Sequence, residues 1–174
     1  MKKKSLNAKK IIHKKILRHL TDPKVKKIYN IFEKSLITNK YKNNKFLVAL
    51  SGGPDSLALT YLSKCYSILN NSDVKFVHID HKLRKTSSIE ADQLKHQLKE
   101  FNINCNILVW KGKKPKSNIQ SISRKNRYDL IFKYALKNNF INILIAHHID
   151  DLYENFIIRL IRGSGLKGLV SFDK

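Results

Sequence analysis

The stretch FLVALSGGPDS, Phe46 to Ser56, decides the fold. Phe46 to Leu50 is a short continuous apolar run, the pattern of a strand buried on both faces. A glycine-rich turn follows at once, and Ser56 to Leu69 then reads as a helix through Leu57, Leu59, Leu62 and Leu69. Gly52 and Gly53, lacking a Cβ, let the backbone take positive φ and approach a ligand closely. The helix behind them presents unpaired N–H groups and the positive end of its dipole, and Ser51 and Ser56 add hydroxyls. Such a strand–turn–helix junction is a phosphate cradle. The plain structural alternative is a tight turn with Ser56 capping the helix.

The same alternation continues outward. Val74 to Ile79 reads as a second strand, and Ser88 to Phe101 as a helix with Ile89, Leu94 and Leu98 inward. Cys105 to Trp110 is a third strand. Lys111 to Asn118 is a basic loop, after which Asn118 caps a long helix to about Asn138. Ile141 to Ala146 is a fourth strand, and Asp150 to Arg162 a helix stopped by Gly163. Upstream, Lys24 to Thr38 is a helix with Ile28, Ile31, Phe32 and Leu36 at helical spacing, Pro23 in its first turn and Asp22 as cap. Strand and helix alternating four times predict an α/β fold, a doubly wound parallel sheet with an N-terminal basic helical extension. The expected division is a basic arm and helix over 1–40 and a nucleotide-binding domain over 41–174. In such sheets ligands bind outside the carboxyl ends of the strands. Three polar clusters fall there: SGGPDS, DHKLR and HHIDD.

Composition narrows the partners. The chain has 174 residues, with 35 Lys and Arg against 13 Asp and Glu, a formal charge of +22. That field attracts polyanions, nucleic acid first and an anionic membrane surface second, although Lys, Asn and Ile are abundant throughout. No apolar run reaches the roughly 18–20 residues that a membrane helix needs. Two cysteines, Cys65 and Cys105, stand far apart, which excludes a disulfide framework or a zinc ribbon and suits a reducing cytosol. The start, MKKKSLNAKKIIHKKILRHL, lacks the apolar centre of a secretory signal and reads as a basic arm suited to RNA or as a solvated tail.

SGGPDS is neither a Walker A loop nor G-x-G-x-x-G; it resembles the S-G-G-x-D-S loop of the N-type ATP pyrophosphatases, the PP-loop superfamily. VHIDHKLRKTS resembles the V-D-H-x-L-R segment of the tRNA(Ile)-lysidine synthetases. NIQSISRKNRYDLI resembles their N-x-E-x-x-A-R-x-x-R-Y helix, with Gln120 where Glu is frequent and Ser123 where Ala is usual. AHHIDDLYENFIIRLIRGSGLKGL, Ala146 to Leu169, closely resembles A-H-H-x-D-D-x-x-E-T-x-x-x-R-L-x-R-G-S-G-x-x-G-L. Asn155 replaces the usual Thr and Leu152 a frequent Gln. These segments keep the family order over most of Phe46 to Leu169.

The resemblance implies a fold of the adenine nucleotide alpha hydrolase type. It implies ATP held by Ser51, Gly52, Gly53, Pro54, Asp55 and Ser56 with His81, Arg84, Arg124 and Gly163. Mg²⁺ is expected on Asp55, because a lone carboxylate beside phosphates is repelled unless a cation lies between them. Asp55, Arg124 and His147 are the expected catalytic residues. On a helix starting near His147, the residues His147, Asp151, Glu154 and Ile158 line one face. Asp151 and Glu154 would hold the ammonium group of free lysine and help take its proton. Arg127 shares a face with Arg124 and reads equally as an ion-pair former. The implied reaction joins lysine to C2 of the wobble cytidine of isoleucine tRNA with a CAU anticodon, through an adenylated base, in the cytoplasm and without a membrane.

Other readings remain open. A tRNA thiolation enzyme of the same superfamily fits less well for want of C-x-x-C. A small-molecule amidating enzyme conflicts with the charge and with HHIDD. A metal-dependent phosphohydrolase would leave the glycine loop unexplained. An RNA-binding protein without catalysis is the reading of another class, and family members usually continue past the glycines that close this chain. A homodimer or a further C-terminal tRNA-binding part is the corresponding expectation.

Overall fold

The computed structural model describes residues 11–38, 45–112 and 117–146. A first helix, α1, covers 11–17 and runs into a single 3-10 turn, Arg18–Thr21. The elements that follow are α2 (Pro23–Thr38), β1 (Lys45–Leu50), α3 (Pro54–Leu69), β2 (Asp73–Asp80), α4 (Ser87–Glu100), β3 (Cys105–Val109), α5 (Ile119–Lys137) and β4 (Asn142–Ile145). The helix expected over Asp150 to Arg162 lies outside the described residues. Among the described residues no helix is long and apolar enough to cross a membrane.

The four strands form one parallel sheet in the order β3-β2-β1-β4, as the alternation predicts. Strand side chains alternate between faces, so each strand feeds two layers. Val48 and Leu50 of β1 join Phe76, Leu94, Leu98, Ile103 and Cys105 beneath α3 and α4. Leu47 and Ala49 join Val77, Ile79, Ile131, Ala135 and Phe140 beneath α5. Five of the six β1 residues are buried, which is why the sequence there shows no polar alternation.

The N-terminal helices pack on α3. Ile16, Tyr29, Leu36, Phe46, Cys65 and Tyr66 form a third buried cluster. Asp22 caps α2 as expected, its Oδ1 accepting from the Lys24 and Val25 amides at 2.7 and 3.3 Å. The buried face of α2 nevertheless differs from the simple periodic reading. Tyr29 and Leu36 turn inward, while Ile28 and Ile31 are more than half exposed. Tyr29 is held there by its hydroxyl, which donates to Glu33 Oε1 at 2.9 Å; Asn70 Nδ2 donates to the same oxygen at 2.9 Å.

Two other helices use small residues against the sheet. On α3 the buried positions are Ser56, Thr60, Ser63, Cys65 and Tyr66, whereas Leu57 and Leu69 are exposed. On α4 Ala91 is buried with Leu94 and Leu98, and Ile89 is exposed instead of inward. Asn118 occupies the position before α5 in a left-handed conformation, φ 50°, with no side-chain capping bond.

The turn after β2 is built on Asp80. Its buried carboxylate accepts from the Lys82 amide at 2.8 Å and from the Ser87 and Ser88 hydroxyls, each at 2.7 Å. Burial alone would raise its pKa, but the bonds from Ser88, the Lys82 amide and Ser87 outweigh it and hold the carboxyl below its ordinary value. Asp80 therefore ties the end of β2 to the start of α4. Its stabilising contribution is complete above the unfolded-state pKa and is lost as pH falls through the depressed folded value. Replacing it with Ala should cost about 2–3 kcal/mol in urea unfolding at neutral pH, with the deficit shrinking on acidification below about pH 4. An unchanged midpoint at neutral pH would contradict the bracing role.

Candidate functional site

With the order β3-β2-β1-β4, the chain steps from β1 to β2 to β3 and then returns past β1 to β4. The direction reverses between β1 and β4, where the crossovers diverge and leave a crevice at the carboxyl ends. A cavity of about 330 Å³ lies there. Its walls combine the glycine loop (Ser51, Gly53, Pro54, Asp55 and Ser56) with Arg124 and Arg127 of α5, above apolar residues that include Ile79, Ile145 and Ala146.

The loop is held by its own hydroxyls. Gly52 has φ +91°, a conformation that a residue with a Cβ seldom adopts. Ser56 Oγ donates to the Gly53 carbonyl at 2.8 Å and accepts from the Gly52 amide at 3.1 Å and from Ser51 Oγ at 3.2 Å. Ser56 is thus the internal staple of the turn, with its proton already committed. Ser51 gives its proton to Ser56 and accepts the Gly53 amide at 3.4 Å. Thr60 Oγ1 bonds the Ser56 carbonyl at 2.7 Å one turn later. An anion at this loop would meet the backbone amides at the start of α3 and the two arginines.

Asp55 sits in the first turn of α3, exposed and facing the cavity. Among the described residues no Lys or Arg pairs with it. A carboxylate so placed suits a hard cation whose other ligands are phosphate oxygens and water. Among the described residues no three His, Cys, Asp or Glu converge.

Arg124 and Arg127 lie one turn apart on α5 and line the same crevice, and Arg124 also stands 5.8 Å from the centre of the Tyr128 ring. Among the described residues neither has a carboxylate partner, so the ion-pair reading of Arg127 finds no support there. Their i, i+3 spacing was the sequence signal that Arg127 belongs beside Arg124.

His81 follows Asp80 and stands beside this cationic wall without lining the cavity. Its Nδ1 is buried and has no hydrogen-bond partner among the described residues. Burial first, then the charges of Arg127 and His78, depress its pKa, against a smaller opposing pull from Asp80. Arg84 lies elsewhere: its guanidinium is largely exposed and 3.4 Å from Glu90 on the first turn of α4. The structure therefore brings together Ser51, Gly53, Pro54, Asp55, Ser56 and Arg124, and sets His81 and Arg84 apart from the cavity wall. His147, Asp151, Glu154 and Gly163 lie outside the described residues.

A family profile described as a PP-loop domain matches residues 21–174. The chain belongs to the PP-loop domain family. Among curated PP-loop relatives, the tRNA(Ile)-lysidine synthase of Orientia tsutsugamushi is 39% identical over 132 residues, covering 76% of this chain and 30% of that protein. The tRNA(Ile)-lysidine synthase of Wolbachia pipientis wMel is 37% identical over 145 residues, covering 82% of this chain and 34% of that protein. The chain spans about a third of the length of the curated relatives it matches. Among solved structures, the U34-tRNA thiolase NcsA from Methanococcus maripaludis with its [4Fe-4S] cluster aligns with a TM-score of 0.69 at 23% identity, over 82% of this chain and 52% of that one. That likeness shows the same fold.

Two measurements probe the PP-loop site itself. Gly52→Ala forces a Cβ into a positive-φ turn and should lower stability by about 1–3 kcal/mol, read as a drop in thermal midpoint; an unchanged midpoint would mean that the turn relaxes freely. For His81 the depressed folded pKa means that the unfolded chain protonates first as pH falls. Its contribution to stability is then complete above the ordinary histidine value and is lost as pH falls from there through the lower folded value. His81→Gln should flatten that part of the stability–pH curve, and an unaltered slope would remove the assignment.

Proposed function

We propose that this PP-loop chain binds Mg·ATP in the crevice between β1 and β4 and uses it to activate a tRNA base for attack by lysine, as a tRNA(Ile)-lysidine synthetase does. The observation that carries the reading is the meeting in one cavity of the glycine loop, an exposed Asp55 and two arginines without described carboxylate partners. Similarity to relatives named tRNA(Ile)-lysidine synthase supports isoleucine tRNA as the RNA substrate, and the motif resemblance adds lysine and a CAU anticodon. The matched domain would act in the cytosol.

In this reading the backbone amides at the start of α3 hold the triphosphate and Asp55 holds Mg²⁺. The metal, when bound, neutralises phosphate charge. The C2 oxygen of the wobble cytidine attacks the α phosphorus; an O–P bond forms, the bond to the β-phosphate bridging oxygen breaks, and pyrophosphate leaves. Arg124 and Arg127 stabilise the charge on the α phosphate, the larger part of catalysis in phosphoryl transfer generally. His147 assists this step. The ε-amine of lysine, held by Asp151 and Glu154, loses a proton and attacks C2. AMP departs with the former C2 oxygen, leaving lysidine.

A thiolation reading would want a thiol near the crevice. Both cysteines are buried away from it, Cys65 in the cluster between α3 and the N-terminal helices and Cys105 under α4. Burial pushes the Cys105 thiol up to about 11, so it stays protonated at neutral pH.

The test is pyrophosphate release by the purified chain with Mg·ATP and a CAU isoleucine tRNA transcript, with and without lysine. Release that needs the tRNA, with lysine appearing in the RNA, is the expected result. Release coupled to sulfide instead would move the chain to the thiolation class. Asp55→Ala should abolish release, and Arg124→Ala should lower it roughly a hundred-fold or more. Full activity of Asp55→Ala would sink the magnesium assignment.

A further inference from the structure

We infer that the outward face of α2 is a docking surface for the RNA backbone, separate from the catalytic crevice. The inference rests on the reading of the crevice as one that serves an RNA substrate. Residues 11–38 carry seven Lys and Arg against only Asp22 and Glu33. Both acids are spent on structure: Asp22 caps α2, and Glu33 accepts from Tyr29 and Asn70 where α2 meets α3. The helix is therefore anchored by its acidic side chains and presents its basic ones to solvent.

The geometry of that face is fixed by helical spacing. Tyr29 and Leu36 point into the core, which turns Lys27, Asn30 and Lys34 outward on the opposite side. A shallow groove runs along this side, lined by Thr21, Pro23, Lys26, Lys27, Asn30, Ile31 and Lys34. Lys26, Lys27 and Lys34 are exposed, and none of them has a carboxylate partner among the described residues. Lys27 and Lys34 stand two turns apart, roughly 10 Å along the axis. Three ammonium groups with an amide between them, whose neighbouring acids Asp22 and Glu33 are engaged in the helix cap and at the joint with α3, match a chain of phosphodiesters. An anionic membrane would favour a continuous apolar face, whereas here Ile28 and Ile31 stand among lysines.

The surface is also remote from the chemistry. α2 packs on the far half of α3 through Tyr66 and Asn70, while the first turn of α3 forms the crevice. Contacts there would position the RNA without touching the reacting base.

The test compares two full-length triple variants for binding of the CAU isoleucine tRNA transcript over a range of salt. One is Lys26→Ala with Lys27→Ala and Lys34→Ala. The other removes the same charge elsewhere, with Lys95→Ala, Lys99→Ala and Lys137→Ala. Loss of three phosphate contacts should reduce the slope of log K against log salt by about 2–3 in the first variant, with Mg·ATP binding unchanged. The second variant should keep a slope close to wild type. Equal slopes in the two variants would reduce the effect to net charge and overturn the docking surface, while tRNA-dependent pyrophosphate release by wild type would leave the crevice reading standing. No tRNA binding by wild type would remove the reading on which the inference rests. Lysine-dependent binding to phosphatidylserine vesicles, with RNA affinity independent of these lysines, would assign the face to a membrane and overturn the proposal.

Discussion

The burial of β1 on both faces is the constraint from which the site follows. Its alternate residues serve two cores, Val48 and Leu50 under α3 and α4 and Leu47 and Ala49 under α5. A strand gripped from both sides has no freedom to shift register, because a one-residue slip would exchange the two sets. The loop that leaves it therefore starts from a fixed point. Gly52 turns the chain through positive φ, and Ser56 closes the turn with bonds to Gly52, Gly53 and Ser51. Since β4 pairs with the other edge of β1, the α5 arginines arrive above the same strand end. Sheet order, loop geometry and cavity are one consequence of a central apolar strand.

The few acids of this chain do much to organise its positive surface. Asp80 is buried and consumed by the turn between β2 and α4, Asp22 by a helix cap, and Glu33 by the joint between α2 and α3. Each is a carboxylate accepting hydrogen bonds from neutral donors, so it adds stability without neutralising a lysine. Asp55 is the contrasting case: exposed, facing the cavity, and without a described Lys or Arg partner. A chain of charge +22 that uses these acids in this way leaves cationic surface facing outward, and among the described residues Asp55 is the carboxylate that lines the crevice.

Much of this was legible in the sequence, and the failures share a cause. The strands, the sheet class and the glycine loop follow from apolar runs and glycine placement, which report backbone demands directly. Faces of helices were less legible. Ile28 and Ile31 have the right spacing for burial, yet Tyr29 wins because its hydroxyl finds Glu33. On α3 the serines and Thr60 face the sheet because small side chains allow close approach, and Leu57 is left outside. Periodicity counts apolar residues and is blind to size and to polar satisfaction. Within the site, Arg127 was visible through its spacing to Arg124. The outward course of Arg84 was not, because its contact with Glu90 depends on how the turn after β2 folds around Asp80.

That turn links fold to electrostatics in a way that neither element shows alone. Asp80, the last residue of β2, bonds the start of α4, and the next residue, His81, lies near Arg127 of α5. Pinning Asp80 with three hydrogen bonds thus fixes His81 beside Arg127. Partial burial and the neighbouring Arg127 guanidinium disfavour the charged form of this imidazole, so the positive charge of the wall rests chiefly on Arg124 and Arg127. An anionic group placed between those two guanidiniums would lie above the apolar floor of Ile79 and Ile145, where charge attraction is less screened than in open water.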